Sequence, residues 1–456
     1  MRDFSTRRQT IKQIAEAITP RLPEDMSDKD ARVREIIEGV RTRGDAAICE
    51  YIQRFDGAKI TPGTLKVREA EFRAARKRVG KDFAKALAEA EKNIRNYHKK
   101  QRLPDWFDLE HSGAVLGEKY TPIEKVGLHI PGASAPLSSS VLMTVIPAQE
   151  AGVKEIHVAT PPARDGSIHP ATLAALEFLG VKSVFKMAGA QAIAAFAFGT
   201  RTIPKVDKVA GPGNVYATLA KRQLYGIIGI DGLYGPSEVV VLADAKANPA
   251  WVAADLLAQA EHRSDSCAIV ISPSSALLAK VKKEITSQAR KLPRQKLAWE
   301  SWRQHGAVVL VKDLAEGVAL SNLIAPEHLE LQVEEPLGIL GDVKNAGCIL
   351  LGAHAPAPAG DYAAGPSHVL PTGRSATFSS GLGVMDFMKR SSVVYLDSTA
   401  LEGLAETIRQ FASLEGLEAH NRAVQMRLRP GAAKKRGRRK LGLPPRKREL
   451  RLPHST

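Results

Sequence analysis

Apolar residues recur at three- and four-residue spacing in VREIIEGVRTRGDAAICEYIQRFD and FAKALAEAEKNIRNYHKK, so the chain from about residue 8 to 100 reads as a charge-rich helical layer. From residue 126 the pattern changes. Short apolar runs of strand type alternate with helical stretches through VGLHI, SSVLMTVIPAQEAG, EIHVATPP, ATLAALEFLG, SVFKMAG, AQAIAAFAFG and VDKVAGPGN. Such alternation, punctuated by Gly and Pro, predicts a parallel sheet with helices on both faces. A second series starts at EVVVLAD (238–244) and continues through a helix near 250–262, CAIVIS, a helix over 275–292, AVVLV and CILLG (348–352). Two α/β domains are therefore expected. Residues 400–429 return to helix, and their length and charged ends suggest an arm of the kind that packs on another subunit.

A chain of 456 residues exceeds one ordinary core and accommodates this plan. Its 44% hydrophobic and 25% charged residues are those of a globular protein and exclude a disordered or fibrous chain as a whole. No run of 18 apolar residues occurs, and the start MRDFSTRRQTIKQ lacks the apolar stretch of a secretory signal. The expectation is a cytoplasmic protein without a membrane span. Cys49, Cys267 and Cys348 are widely spaced and read as reduced core thiols, with neither a disulfide framework nor a structural zinc pattern.

The net charge of +16 is unevenly spread: residues 431–456 hold ten Lys/Arg against the single acid Glu449, or +9, which leaves +7 on the rest. With Pro444-Pro445 inside it, this segment repels itself and cannot bury a core, so it reads as a disordered basic tail. A tail that touches RNA or a membrane surface through phosphate charge is the alternative reading. Nucleic-acid binding by any other part of the chain is not expected.

Four clusters carry possible chemistry. In Gln259-Ala-Glu-His262, at the end of an apolar helix, three-residue spacing sets an amide oxygen and an imidazole nitrogen on one face, where they can share a metal ion; a plain helix terminus explains the same residues. Glu327-His328, just after Pro326, pairs a carboxylate with an imidazole and suits proton transfer, although a capped strand or helix start also accounts for it. The Gly/Pro-rich frame GDYAAGPSH (360–368) is expected to keep Asp361 and His368 in irregular backbone. Glu415-Gly-Leu-Glu-Ala-His420 lies in the arm and doubles as an ordinary charged helix face. Two loops, Gly189-Ala190-Gln191 and Gly211-Pro212-Gly213-Asn214, follow predicted strands and precede helices, where doubly wound sheets bind ligands. Neither is the Gly-x-Gly-x-x-Gly fingerprint, so the residues alone do not lead to a dinucleotide.

Taken together, PGASAPLSSSVLMTVIPAQEAGV, GAQAIAAFAFGT, PKVDKVAGPGNVY, AKRQLYG, GPSEVVVLAD, LLAQAEH, APEHLEL, GDYAAGPSHVLPTG, SSGLGVMDFMKR and LEAHNRAV resemble the histidinol dehydrogenase family over roughly residues 30–428. The resemblance implies an α/β fold with two Rossmann-like doubly wound domains of incomplete nucleotide-binding topology, plus small helical N- and C-terminal parts. Its implied boundaries are an N-terminal helical segment (1–27), a discontinuous first domain (28–128 and 239–382), an inserted second domain (129–238), an arm reaching the partner subunit (383–430) and the basic tail (431–456).

It also implies that Gln259, His262, Asp361 and His420 bind one Zn2+ per subunit, and that Glu327 and His328 handle protons. Ser237, His368 and Glu415, together with Gln259, His262, His328, Asp361 and His420, line the substrate pocket. His129, Gln191 and Asn214 fall at positions that contact NAD. The implied working unit is a homodimer with shared active sites, and the implied reaction is L-histidinol to L-histidine through the aldehyde, reducing two NAD. A paralogous enzyme acting on another small polar alcohol, such as a sulfonated propanediol, is the alternative. The chain departs from the family pattern in three places: His129 stands where the family has a cofactor-contacting Tyr, Gly232-Leu233-Tyr234 replaces a Met-Pro-Ala-like segment beside Ser237, and the basic tail has no counterpart.

Overall fold

The computed structural model describes residues 2–19, 26–109, 113–132 and 136–428. The basic tail 431–456 lies outside the described residues. The chain opens with strand β1 (Arg2–Ser5) and, after a series of helices, forms β2 (Trp106–Asp108) and β3 (Ala114–Pro122). Strands β4 (Lys125–His129), β5 (Glu155–Thr160), β6 (Val184–Lys186), β7 (Lys208–Ala210) and β8 (Gly229–Ile230) then follow. A second series comprises β9 (Glu238–Ala243), β10 (Cys267–Ser272), β11 (Ala307–Leu310), β12 (His328–Gln332) and β13 (Cys348–Leu351), before β14 (Met388–Leu396).

Two units divide the chain, one made of Met1–Gln101 and Ile123–Phe387, the other of Arg102–Pro122 and the residues from Met388 onward. The first holds two parallel sheets. One runs β6-β5-β4-β7-β8 and the other β1-β11-β10-β9-β12-β13. Within each series the strand order is third, second, first, fourth, fifth, the doubly wound arrangement. Strand order reverses beside β4 in one sheet and beside β9 in the other, and in doubly wound sheets ligands bind outside the carboxyl ends of the strands at such a reversal.

The β9 sequence EVVVLA shows why the second sheet forms. Every residue of it is buried. Val239, Val241 and Ala243 pack with the Pro249–Ala260 and Ser275–Ala289 helices, whereas Val240 and Leu242 point to the other face, toward Ile14, Leu320 and Ile324. Period-two alternation between two apolar layers leaves no solvent face, so the strand reads as a continuous apolar run. Each such side chain contributes about 1.5–3 kcal/mol on leaving water.

Three features differ from the sequence pattern. The polar-looking start RDFS is a strand, paired parallel with β11 from Arg2↔Ala307 to Ser5↔Leu310. Ladder bonds made far along the chain overrode its weak local signal. The second unit contains a small antiparallel sheet, β14-β3-β2, ahead of its helices. Its helical part is two helices, Ser398–Leu414 and Glu418–Leu428, separated at Gly416, whose φ of 69° ends the first.

Candidate functional site

A cavity of about 940 Å³ opens in the first unit and is lined by ten of the residues singled out from sequence: His129, Gln191, Asn214, Ser237, Gln259, His262, Glu327, His328, Asp361 and His368. The five-stranded sheet presents its C-terminal ends to this cavity, through His129 at the end of β4 and the loops after β6 and β7. The six-stranded sheet presents the starts of its strands, through Ser237 before β9 and His328 opening β12. Glu415 and His420 belong to the second unit, where both are exposed.

On the five-stranded side the polar groups are closely paired. The Gly189 N–H donates to His129 Nε2 (3.0 Å), which places the ring proton on Nδ1, and Nδ1 donates to the Pro212 carbonyl (2.7 Å). Burial pushes the His129 pKa down to about 4, so the ring stays neutral. The His129 imidazole therefore bridges the loops after β6 and β7 through their backbones. Asn214 caps the Val215–Leu224 helix, accepting from the N–H groups of Tyr216 (3.0 Å) and Ala217 (3.1 Å). Gln191 is buried in the Gly189–Phe198 helix and lines the cavity.

A further cluster here joins Gly211 and Tyr234 to two residues without a sequence signal, Lys221 and Asp231. Lys221 Nζ donates to the Gly211 carbonyl (2.6 Å) and to Asp231 Oδ1 (2.6 Å), the Gly211 N–H donates to Asp231 Oδ2 (2.6 Å), and the Tyr234 hydroxyl donates to the same oxygen (2.9 Å). Lys221 Nζ also sits 5.0 Å from the centre of the Tyr234 ring, a cation–π distance. Tyr234 lines the cavity wall, so the departure from the family pattern at 232–234 is a side chain held in place.

On the six-stranded side the groups are charged, buried and shifted. Chain reversal at Ala325, a non-glycine residue with φ 50°, joins the Leu314–Ile324 helix to β12 and sets Glu327 and His328 at the strand's start. Burial pushes the Glu327 carboxyl up to about 7, against the charge of His328 and the Glu238 N–H that donates to Glu327 Oε2 (2.8 Å). Burial opposes a charged His328. Its contact with Asp361 (Nε2 to Oδ1, 3.3 Å) and the charges of Glu327 and Asp361 outweigh that penalty and push its pKa up to about 9. For Asp361 burial acts upward, but His328 and the nearby imidazoles hold the carboxyl below its usual value. Glu238, which sequence reading passed over inside a strand, is pushed up to about 8, chiefly by burial.

Asp361 does not lie in irregular backbone as expected. It sits in a short helix, Ala357–Tyr362, whose first turn holds Pro358, where a missing N–H costs nothing. His368 does follow in a loop, as GPSH suggests; its Nδ1 faces the Asp361 carbonyl (2.9 Å) and its Nε2 faces the Ser140 hydroxyl (3.0 Å). Burial lowers the His368 pKa, so the ring is neutral, donating through Nδ1 and accepting at Nε2. Gln259 and His262 end the Pro249–Ala260 helix and its following turn. The Gln259 side chain is buried and its Nε2 has no hydrogen-bond partner. His262 opens to the cavity, yet the protein around that cavity removes enough water to lower its pKa. Among the described residues, no three His, Cys, Asp or Glu side chains of one chain are spaced to hold a metal ion by themselves.

Twin doubly wound sheets with a buried carboxyl–imidazole pair in the cavity define an α/β enzyme. Residues 19–428 match the family described as histidinol dehydrogenase. The chain belongs to the histidinol dehydrogenase family, oxidoreductases acting on CH–OH groups. It is 48% identical over 399 residues to histidinol dehydrogenase of Geobacillus kaustophilus, covering 88% of this chain and 94% of that one. It is 47% identical over 396 residues to that of Halalkalibacterium halodurans, covering 87% and 93%. Among solved structures, histidinol dehydrogenase from Elizabethkingia anophelis superposes with a TM-score of 0.89 at 35% identity, covering 94% of this chain and 98% of that one.

Proposed function

We propose that this chain oxidises L-histidinol through the aldehyde to L-histidine, the last step of histidine biosynthesis, using two NAD and one zinc ion per subunit. The observation that carries this reading is the single cavity that gathers the acid–imidazole pair Glu327-His328 with Gln259, His262, Asp361 and His368. NAD would lie along the side of His129, Gln191 and Asn214, where the doubly wound sheet reverses its strand order. Bound there in turn, each of two NAD molecules would accept one hydride.

The residues fit a zinc ion. Gln259 has a buried amide without a protein partner, and rotating that amide by half a turn presents its oxygen as a donor. An amide oxygen, the His262 imidazole and the Asp361 carboxylate make a nitrogen–oxygen donor set that zinc accepts, with His420 from the arm of the partner subunit as the fourth. The ion would supply positive charge that orients the imidazole and amine of the substrate.

The chain's own residues do the proton chemistry. His328 takes the proton of the substrate hydroxyl in each oxidation. Glu327, near neutrality at about 7, takes a proton from the water that hydrates the aldehyde. In the single chain the Asp361 carboxylate favours the protonated form of His328; with Asp361 engaged as a zinc donor, that hold on the proton would weaken and His328 would be available as the base. The hydrated aldehyde stays in the cavity between the two rounds, and His368 and Ser237 fix its orientation.

A homodimer with shared sites accounts for the apolar surface of the second unit, where Val394 (65% exposed), Phe411 (63%), Leu414 (85%) and Met426 (64%) stand in solvent in the single chain. No described helix is long and apolar enough to cross a membrane. The Tyr234 side chain in the cavity wall supports a second reading, a paralogue for another small polar alcohol. Both are tested with purified protein, zinc and NAD: two NAD reduced per L-histidinol consumed is the expected stoichiometry, whereas inactivity on histidinol with turnover of another diol establishes the paralogue.

A further inference from the structure

Behind Gln259, His262 and Asp361 lies a set of buried side chains that the mechanism does not use. Asp255 is on the Pro249–Ala260 helix, one turn before Gln259. Glu330 and Gln332 follow His328 along β12, and Ala357 opens the helix that carries Asp361 four residues later. Gln332 Nε2 donates to Asp255 Oδ2 (2.6 Å) and to Glu330 Oε2 (3.1 Å), while Glu330 Oε1 accepts from the Ala357 N–H (2.8 Å). All three side chains are buried, and none of them lines the cavity.

These contacts join the helix bearing one pair of donors to the helix bearing the third, by way of the strand bearing the acid–imidazole pair. Two carboxyl groups meeting at one amide in a dry interior repel each other unless a proton is retained between them. Burial pushes Glu330 up to about 8 and raises Asp255 as well, so the cluster is held together rather than driven apart at neutral pH.

We propose that Asp255, Glu330 and Gln332 are positioning residues that set the spacing between Gln259–His262 and Asp361, and so preset the donor set for a divalent cation. The inference rests on the zinc reading above. Partners that orient metal donors through hydrogen bonds commonly govern affinity by about ten- to a hundredfold. A cluster serving stability alone would leave affinity and donor geometry untouched.

The test uses the full-length protein and two readouts besides turnover: zinc affinity by competition with a chromophoric chelator, and the visible spectrum of the cobalt(II)-substituted protein, which reports donor geometry. Glu330→Ala and Asp255→Ala are expected to weaken zinc binding about ten- to a hundredfold and to change the cobalt spectrum. Glu330→Gln should recover both in part, because its amide oxygen still accepts from the Ala357 N–H while its NH2 replaces the oxygen that accepted from Gln332. Val281→Ala, which opens a void under the Ser275–Ala289 helix, should lower stability while leaving both readouts unchanged. Folded Ala variants with parental affinity and spectrum overturn the proposal; should one fail to fold, the other decides. A parent protein that takes up no zinc overturns the zinc reading and this proposal together, a result distinct from parental binding in the variants.

Discussion

The two sides of the cavity are built on opposite principles. Beside the five-stranded sheet, His129, Lys221, Asp231 and Asn214 are hydrogen-bonded to backbone or to each other, so their loops are fixed before any ligand arrives. Beside the six-stranded sheet, Gln259 Nε2 is buried at the cavity without a partner, Glu327 and His328 are pushed far from their ordinary values, and Glu238 behind them is pushed up to about 8. An unpartnered buried polar atom costs about 1–3 kcal/mol, so the second side stores free energy that a ligand can recover. One wall is a finished cradle, and the other is completed by what binds.

Substitutions can break this contrast. Glu327→Gln and His328→Asn remove the proton handling of the reactive wall and should each lower kcat by about 10²–10⁴-fold with little change in fold, read by steady-state NADH formation and circular dichroism. Lys221→Met strikes the finished wall instead. It strands the buried Asp231 carboxylate, whose side chain is 1% exposed, and should cost about 3–5 kcal/mol in urea denaturation.

A pH series sharpens the comparison. Between its ordinary value of 4.5 and about 8, native Glu238 holds more proton than the unfolded chain does, so rising pH costs stability across that window. Glu238→Gln mimics the neutral acid and keeps an acceptor for the Gly373 N–H (2.6 Å). Its stabilising effect over the parent should therefore be small near pH 5 and grow to a few kcal/mol, on the order of one per pKa unit, by pH 8. Asn214→Ala, a lost helix cap on the preformed wall, should cost about 1 kcal/mol and weaken NAD binding more than histidinol binding.

The alternation of apolar runs made both parallel sheets legible, because strands such as β9 and β10 are buried on two faces and read as continuous apolar runs, whereas β12 (HLELQ), with polar residues at every second position, did not stand out. The loops after β6 and β7 were legible from Gly punctuation. β1 was not, since RDFS has no apolar pattern and is held by its ladder with β11. Nor was the helix around Asp361, because GDYAAGPSH reads as a loop until Pro358 is seen in a first turn. The individual donors and acids were each ambiguous in spacing, and only the succession of motifs joined them. Tyr234 stood out as a departure from the family pattern, but its partners Lys221 and Asp231 escaped notice because their meeting depends on a loop reversal that no periodicity encodes.

Under the proposed function, the reactive wall is finished by zinc and by an arm from a second subunit. Mixing inactive Glu327→Gln protein with inactive His420→Ala protein addresses that claim directly, because a mixed dimer pairs one intact body with one intact arm. Recovery of NADH formation on mixing, in step with heterodimer content measured by native mass spectrometry, is the predicted result. Heterodimers that form in quantity and remain inactive would contradict it.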